Sequence, residues 1–212
     1  MIIRSYRRVV YSLAILALLS GGTGAAKAPE APGARDIDPG LRGPVAGIGI
    51  ESQDIVGMAD RMVRDLLTNP TLSNRKIPPR IIVDSRYFTN ESMQRLNGNL
   101  ITDRLRVSLN RASQGRMVFI ARQNAAMVEE ERALKREGMT DIGTTGLTRA
   151  QAGADYRLTG NIASADARDR RTGTMQRFTQ ITFEMVDLES GEIVWSNGYD
   201  IARAATDDVI YR

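Results

Sequence analysis

The 212-residue chain predicts an α+β fold, an open mixed or antiparallel β-sheet covered by helices. Three observations carry that expectation. Apolar residues recur at helical spacing in some segments and cluster or alternate at strand spacing in others. Along the chain these segments run helix, strand, helix, strand, helix and then three strands. The last two strands are separated only by Glu189-Ser190-Gly191, a tight turn that makes them an antiparallel hairpin.

Each element has its own signature. Ile55, Ala59, Met62, Val63 and Leu66 fall at three- and four-residue steps, giving an amphipathic helix that stops before Pro70. Arg80–Asp84 (RIIVD) is a short β-branched run after Pro79, as a buried strand requires. Met93, Leu96, Leu100, Ile101, Leu105 and Leu109 form a second helical apolar face, with Thr89 or Asn90 as its cap. Met117–Ile120 (MVFI) is a further strand. Gln123–Glu137 is helical, with Glu131 and Lys135 paired at i,i+4 and Gly138 placed to end it. Met139–Leu147 is an exposed loop, and Tyr156–Ala163, Arg177–Leu188 and Glu192–Ile201 are the closing strands.

Ahead of this domain, Arg4, Arg7 and Arg8 precede an apolar Val9–Ser20 and the small residues Gly21–Ala26. A positive start, a short apolar middle and a small-residue end describe a secretory signal peptide over 1–26. Retention of the leader as a membrane anchor is the other option that its apolar stretch allows. Leu19-Ser20-Gly21 matches the end of a bacterial lipoprotein signal, with Gly22 where the lipid-bearing cysteine would stand. Cleavage after Ala26 would release a soluble periplasmic protein. Residues 27–44 are Ala/Pro/Gly-rich and are expected to be a flexible tether. Its extended reach is roughly 60 Å at ~3.3 Å per residue. Residues 45–212 then form the globular domain.

Composition removes much chemistry. With 0 histidines and no cysteine, the chain has no disulfide, thiolate nucleophile, sulfur-ligated metal or imidazole base. No cofactor is expected. The formal charge is +4, and Arg4, Arg7 and Arg8 of the leader supply three of those charges, leaving +1 for the remainder. Nucleic-acid binding therefore has no global electrostatic support.

The residues that could carry chemistry divide into a few groups. Asp187, Glu189 and Glu192 flank the hairpin turn; paired carboxylates about 5–10 Å apart can cleave glycosides, but an exposed turn is also where solvated acids belong. Gly47-Ile48-Gly49 lacks the third glycine and the strand-to-helix context of a phosphate loop. Ser52, Tyr87 and Lys76 have no activating neighbour visible in sequence. No catalytic or metal-binding residue is assigned. For partner binding the selected residues are Arg168, Arg170 and Arg171 in the hairpin tip Asp166–Gly173, Asp141 in the Met139–Leu147 loop, and Trp195, which is either core or a surface anchor. Arginine forks are favoured at interfaces, and loops on rigid scaffolds favour binding.

Several segments carry a family resemblance. Gly153–Ile162 (GADYRLTGNI), Phe183–Asn197 (FEMVDLESGEIVWSN), Ile81–Asp84, the Thr89-Asn90 region with the helix after it, and the tail Ala204–Arg212 resemble the LpoB family over about residues 45–212. Related periplasmic domains, those of curli-secretion lipoproteins and the TolB amino-terminal domain, share the strand start and the hairpin. The resemblance implies a TolB amino-terminal-like sandwich and a non-enzymatic, monomeric protein, with no nucleic acid and no small-molecule substrate. Family members are outer-membrane lipoproteins that dock on an accessory domain of a class A penicillin-binding protein and stimulate glycan polymerisation and crosslinking. Gly22 and the short tether depart from that pattern. The alternative is a structural or secretion component of an envelope assembly, which would oligomerise. A carboxylate-dependent cell-wall hydrolase is a third class.

Overall fold

The structure, a computed structural model, describes residues 36–44 and 47–206. The leader expected at 1–26, the start of the tether and the tail residues 207–212 lie outside the described residues. Within residues 36–44 there is a turn and no helix or strand.

The first helix, α1 (Ser52–Thr68), opens on a capping box in which Asp54 Oδ2 accepts the Glu51 backbone N–H at 2.8 Å. Its apolar stripe Met58, Ala59, Met62, Val63 and Leu66 is buried, as the spacing requires. The helix breaks at Asn69, whose side chain caps a short continuation, α2 (Pro70–Ser73), with proline at its first position. Next come β1 (Arg80–Glu91), α3 (Gly98–Ser113) and the two-residue β2 (Val118–Phe119). A 3-10 turn at Arg122–Asn124 leads into α4 (Ala125–Arg136), which ends beside Gly138 in the left-handed region at φ 71°. Long strands β3 (Tyr156–Arg168), β4 (Thr174–Asp187) and β5 (Ile193–Thr206) complete the chain.

The strands form one mixed sheet in the order β2-β1-β3-β4-β5. β1 runs parallel to β2 and β3, and β4 runs antiparallel to its neighbours β3 and β5. This is the α+β class that the order of elements predicts. Helices α1 and α3 pack together on one face, over Leu158, Ile162, Ile181, Phe183 and Met185. Alternate residues of β4 on the other face, such as Gln176, Phe178 and Gln180, are exposed. One solvated face is a common arrangement for antiparallel strands.

The strand at Arg80–Asp84 is longer than its sequence suggests. After Val83 the register jumps, so that Asp84–Tyr87 of β1 stand opposite Thr159 alone, and pairing resumes at Phe88. Thr89 and Asn90 are therefore strand residues and do not cap the second helix. That helix begins at Gly98, and Asn97 caps it by accepting the Asn99 N–H at 3.0 Å. Met93, expected on the helix's apolar face, precedes the helix and is exposed. Ile101, Leu105 and Leu109 supply the buried stripe.

Phe88 rejoins the sheet by lying over Gly160 and stacking on Phe183, with ring centroids 5.5 Å apart. A β-carbon at Gly160 would stand 2.5 Å from the Phe88 ring and 3.0 Å from the Thr182 carbonyl oxygen. Gly160→Ala is expected to destabilise the protein by about 2 kcal/mol through overpacking. Urea denaturation monitored by circular dichroism reads this; an unchanged midpoint would show that the aromatic pair can move aside.

Candidate docking surfaces

The β3–β4 tip is shaped by Asp169. Its backbone N–H reaches the Thr174 carbonyl at 2.9 Å, its carbonyl accepts from Gly173, and its side chain accepts the Arg171 N–H at 2.8 Å. Gly173 takes the left-handed conformation at φ 70° that this closure needs. These hydrogen bonds, the Arg171 N–H first, hold the Asp169 carboxyl below its ordinary value. Arg168, Arg170 and Arg171 are all exposed around this tip. The side chains of Arg170 and Arg171 form no hydrogen bond or ion pair with any described residue.

Beneath the tip, Asp166 is tied inward. The Arg177 guanidinium forks onto its carboxylate with two bonds of 2.7 Å. Hydrogen bonding from Arg177 holds the Asp166 carboxyl low and the same bond raises Arg177, against a smaller desolvation effect on each. Asp166 thus belongs to the fold's wiring, although it begins the tip sequence.

A second surface is α4 with the loop after it. None of the residues of α4 is buried, and Met127, Met139, Ile142 and Leu147 are exposed. Asp141 shapes the loop by accepting the Gly143 N–H at 3.0 Å. Arg132 pins the far end with bonds to the Thr148 hydroxyl at 2.8 Å and carbonyl at 2.7 Å. The cations here are matched: Arg132 and Arg136 pair with Glu129, and Lys135 with Glu131 at 3.7 Å.

Trp195 is taken inside by the fold. Only 6% of it is exposed, and its indole N–H donates to Asp65 on α1 at 2.6 Å. The residues weighed for catalysis are spread over unrelated parts of the surface. Asp187 accepts the Ser190 and Glu189 backbone N–H groups, which build the turn and hold its carboxyl below the usual range. A general acid needs the opposite shift. Ser52 opens α1, Lys76 is exposed after α2, and Tyr87 stands on the β1 bulge between Arg86 and Arg157. The Gly47–Gly49 segment is irregular, and its Gly49 carbonyl accepts from Arg203. Among the described residues no acidic cluster is arranged to hold a metal ion. No described helix is long and apolar enough to cross a membrane.

A family model described as the peptidoglycan-synthase activator LpoB matches residues 54–201, from the first turn of α1 to the middle of β5. The chain belongs to the LpoB family. The family is one of regulatory activators rather than enzymes, and membership supports a role of the penicillin-binding-protein-activator type. No curated protein matches the chain. Among solved structures, the LpoB C-terminal domain from Salmonella enterica is 21% identical, covers 70% of this chain and 98% of its own, with a TM-score of 0.42. The LpoB C-terminal domain from Escherichia coli is 18% identical, covering 71% and 99%, with a TM-score of 0.41. Lipoprotein GNA1162 from Neisseria meningitidis is 22% identical, covering 60% and 85%, with a TM-score of 0.31.

Sequence reasoning passed over a third surface of this LpoB-family chain, a groove between α1 and α3. Leu100, expected on the apolar face of its helix, is 59% exposed, and Val107 is 53% exposed. The available signal was a second repeat on α3, Leu100, Arg104, Val107 and Arg111, at steps of four, three and four.

The Asp166–Arg177 pair sets a pH expectation. A carboxylate whose folded pKa is depressed contributes stability that is complete above its unfolded value of about 3.9. That contribution is lost as pH falls through the lower, folded value. Asp166→Asn is expected to cost about 2 kcal/mol at neutral pH, since it leaves a buried guanidinium without its counter-charge. The gap from the wild type should close as pH drops below about 3.9. Urea melts across pH 2 to 7 measure it, and a pH-independent gap would exclude the charge as its cause.

Proposed function

We propose that this chain is a non-catalytic activator of a class A penicillin-binding protein in peptidoglycan synthesis, acting by docking on the synthase in the periplasm. The observation that carries this reading is the family match across 54–201, which takes in both layers of the fold and not one hairpin. The state of the polar groups supports it. Asp187 at the hairpin turn is engaged in making that turn, which holds its carboxyl low, the opposite of what a general acid needs.

In this reading residues 1–26 direct export, 27–44 tether the domain, and residues 45–212 bind. Gly22 offers no sulfur for acylation, so the mature protein is released into the periplasm and is not held at the outer membrane. Activation follows from differential affinity: a domain that binds the synthase's active state more tightly shifts it toward that state. A tenfold preference corresponds to about 1.4 kcal/mol. The partner surface is expected to occupy about 800 Å² on each side.

The test uses protein purified from the periplasm of cells expressing the full chain. Added in excess to a purified class A synthase, it should raise the rate of glycan polymerisation severalfold, run as a monomer on light scattering, and release no soluble fragments from peptidoglycan. An unchanged polymerisation rate at saturating protein would sink the activator reading. Fragment release would sink its non-catalytic part.

A further inference from the structure

Helix α3 carries two stripes. Ile101, Leu105 and Leu109 enter the core, while Leu100, Arg104, Val107 and Arg111 line an outer face beside α1. Ile55 and Val56 of α1 form the opposite wall and are half-buried. The cleft between the helices, lined also by Pro39 of the segment ahead of α1, has a volume of about 490 Å³. At Ser108 and Arg111 it meets a second hollow of about 410 Å³ that extends to Asp60 and Arg64. A helix that leaves Leu100 and Val107 exposed beside the half-buried Ile55 and Val56 offers an apolar floor that a partner can cover.

The charges around this groove say what kind of partner fits. The side chains of Arg64, Arg104 and Arg111 form no hydrogen bond or ion pair with any described residue. Arg104 Nε is buried with no acceptor. Of the acids along the groove, Asp103 is already held by Arg106 at 2.7 Å, which leaves Asp60 against three arginines. The α4 surface differs, because its cations are ion-paired within their own helix. A guanidinium donates two parallel hydrogen bonds to a carboxylate, so unpaired arginine side chains beside the groove suit an acidic partner. The complement to an apolar floor with a net positive rim is an acidic segment with an apolar face.

The geometry points to the α1–α3 groove as the place where the penicillin-binding protein docks, through an acidic, apolar-faced segment of its own surface. This rests on the activator reading for the identity of the partner; the chemistry of the segment comes from the groove. Val107 and Leu100 supply the apolar contact, and Arg104 and Arg111 receive the carboxylates. Oppositely charged surfaces also speed encounter, so association is sensitive to salt.

Binding of the periplasmically purified protein to a purified class A synthase tests this, by dissociation constant at low and high salt. The variants are the double reversal Arg104→Glu with Arg111→Glu, the apolar-to-charged change Val107→Asp, and the tip double reversal Arg170→Glu with Arg171→Glu. All the altered side chains are at least partly exposed, and thermal melting checks that each variant folds. The groove variants are expected to weaken binding by about tenfold or more, with the Arg104/Arg111 reversal also removing much of the salt dependence. The tip variant should bind within about twofold of wild type. Wild-type binding with unaltered groove variants would overturn the groove assignment and leave the activator reading standing; loss at the tip variant alone would move the site to Arg170 and Arg171. Failure of the wild type to bind would overturn both.

Discussion

Phe88 lies across Gly160 and against Phe183, and this contact lets β1 return to β3 after the four residues Asp84–Tyr87 have swung out of register. Much of the upper half of the domain follows from it. The strand continues to Glu91, which brings Met93 to Ser164 of β3, its N–H on the serine hydroxyl at 3.1 Å. Gln94 then holds Ile50 on both sides, accepting its N–H at 2.7 Å and donating to its carbonyl at 3.0 Å. The segment so fixed leads directly into α1, whose Asp54 is paired to Arg203 of β5 at 2.8 Å. A close approach that only glycine permits is thus linked, through polar contacts, to the placement of the helix forming one wall of the groove.

The architecture concentrates apolar burial on one side of the sheet, so recognition is left to the helix surfaces, the loops and the open sheet face. On the covered side the polar groups are largely consumed by the structure itself: Asp166 by Arg177, Asp54 by Arg203, and Asp65 by the Trp195 indole and the Asn197 amide. Such pairs specify register and helix position more than they stabilise, because burying charge carries a desolvation cost. Among the described residues, the side chains of Arg170 and Arg171 at the hairpin tip and of Arg64, Arg104 and Arg111 along the α1–α3 groove make no hydrogen bond or ion pair. A regulatory protein needs that kind of surface, with charge held ready on rigid elements.

The order and type of the elements were legible in the sequence because periodicity is local. The stripe of α1, the β-branched run of β1 and the turn at Glu189–Gly191 each depend on neighbours a few residues away. The cap of the second helix was not legible, since nothing near Thr89 announces that the strand continues past a bulge whose reason is Gly160, far along the chain. Trp195 illustrates the same limit. Strand alternation allowed either face, and the register of β5 on β4, with Asp65 waiting on α1, put the ring inside.

By itself the sequence determined the class of fold, the resemblance to a family of synthase activators, and the absence of thiol and imidazole chemistry. Only the tertiary structure decided which stripe of α3 became core, which arginines were paired and which stayed exposed. The physical reason is one of range. Helix and strand periods arise from backbone geometry within a few residues, whereas the side that is buried and the charge that is paired depend on elements distant in the chain. Asp166 and Arg177 face each other through strand register, and Arg104 lines a groove whose other wall is Ile55 and Val56 of α1.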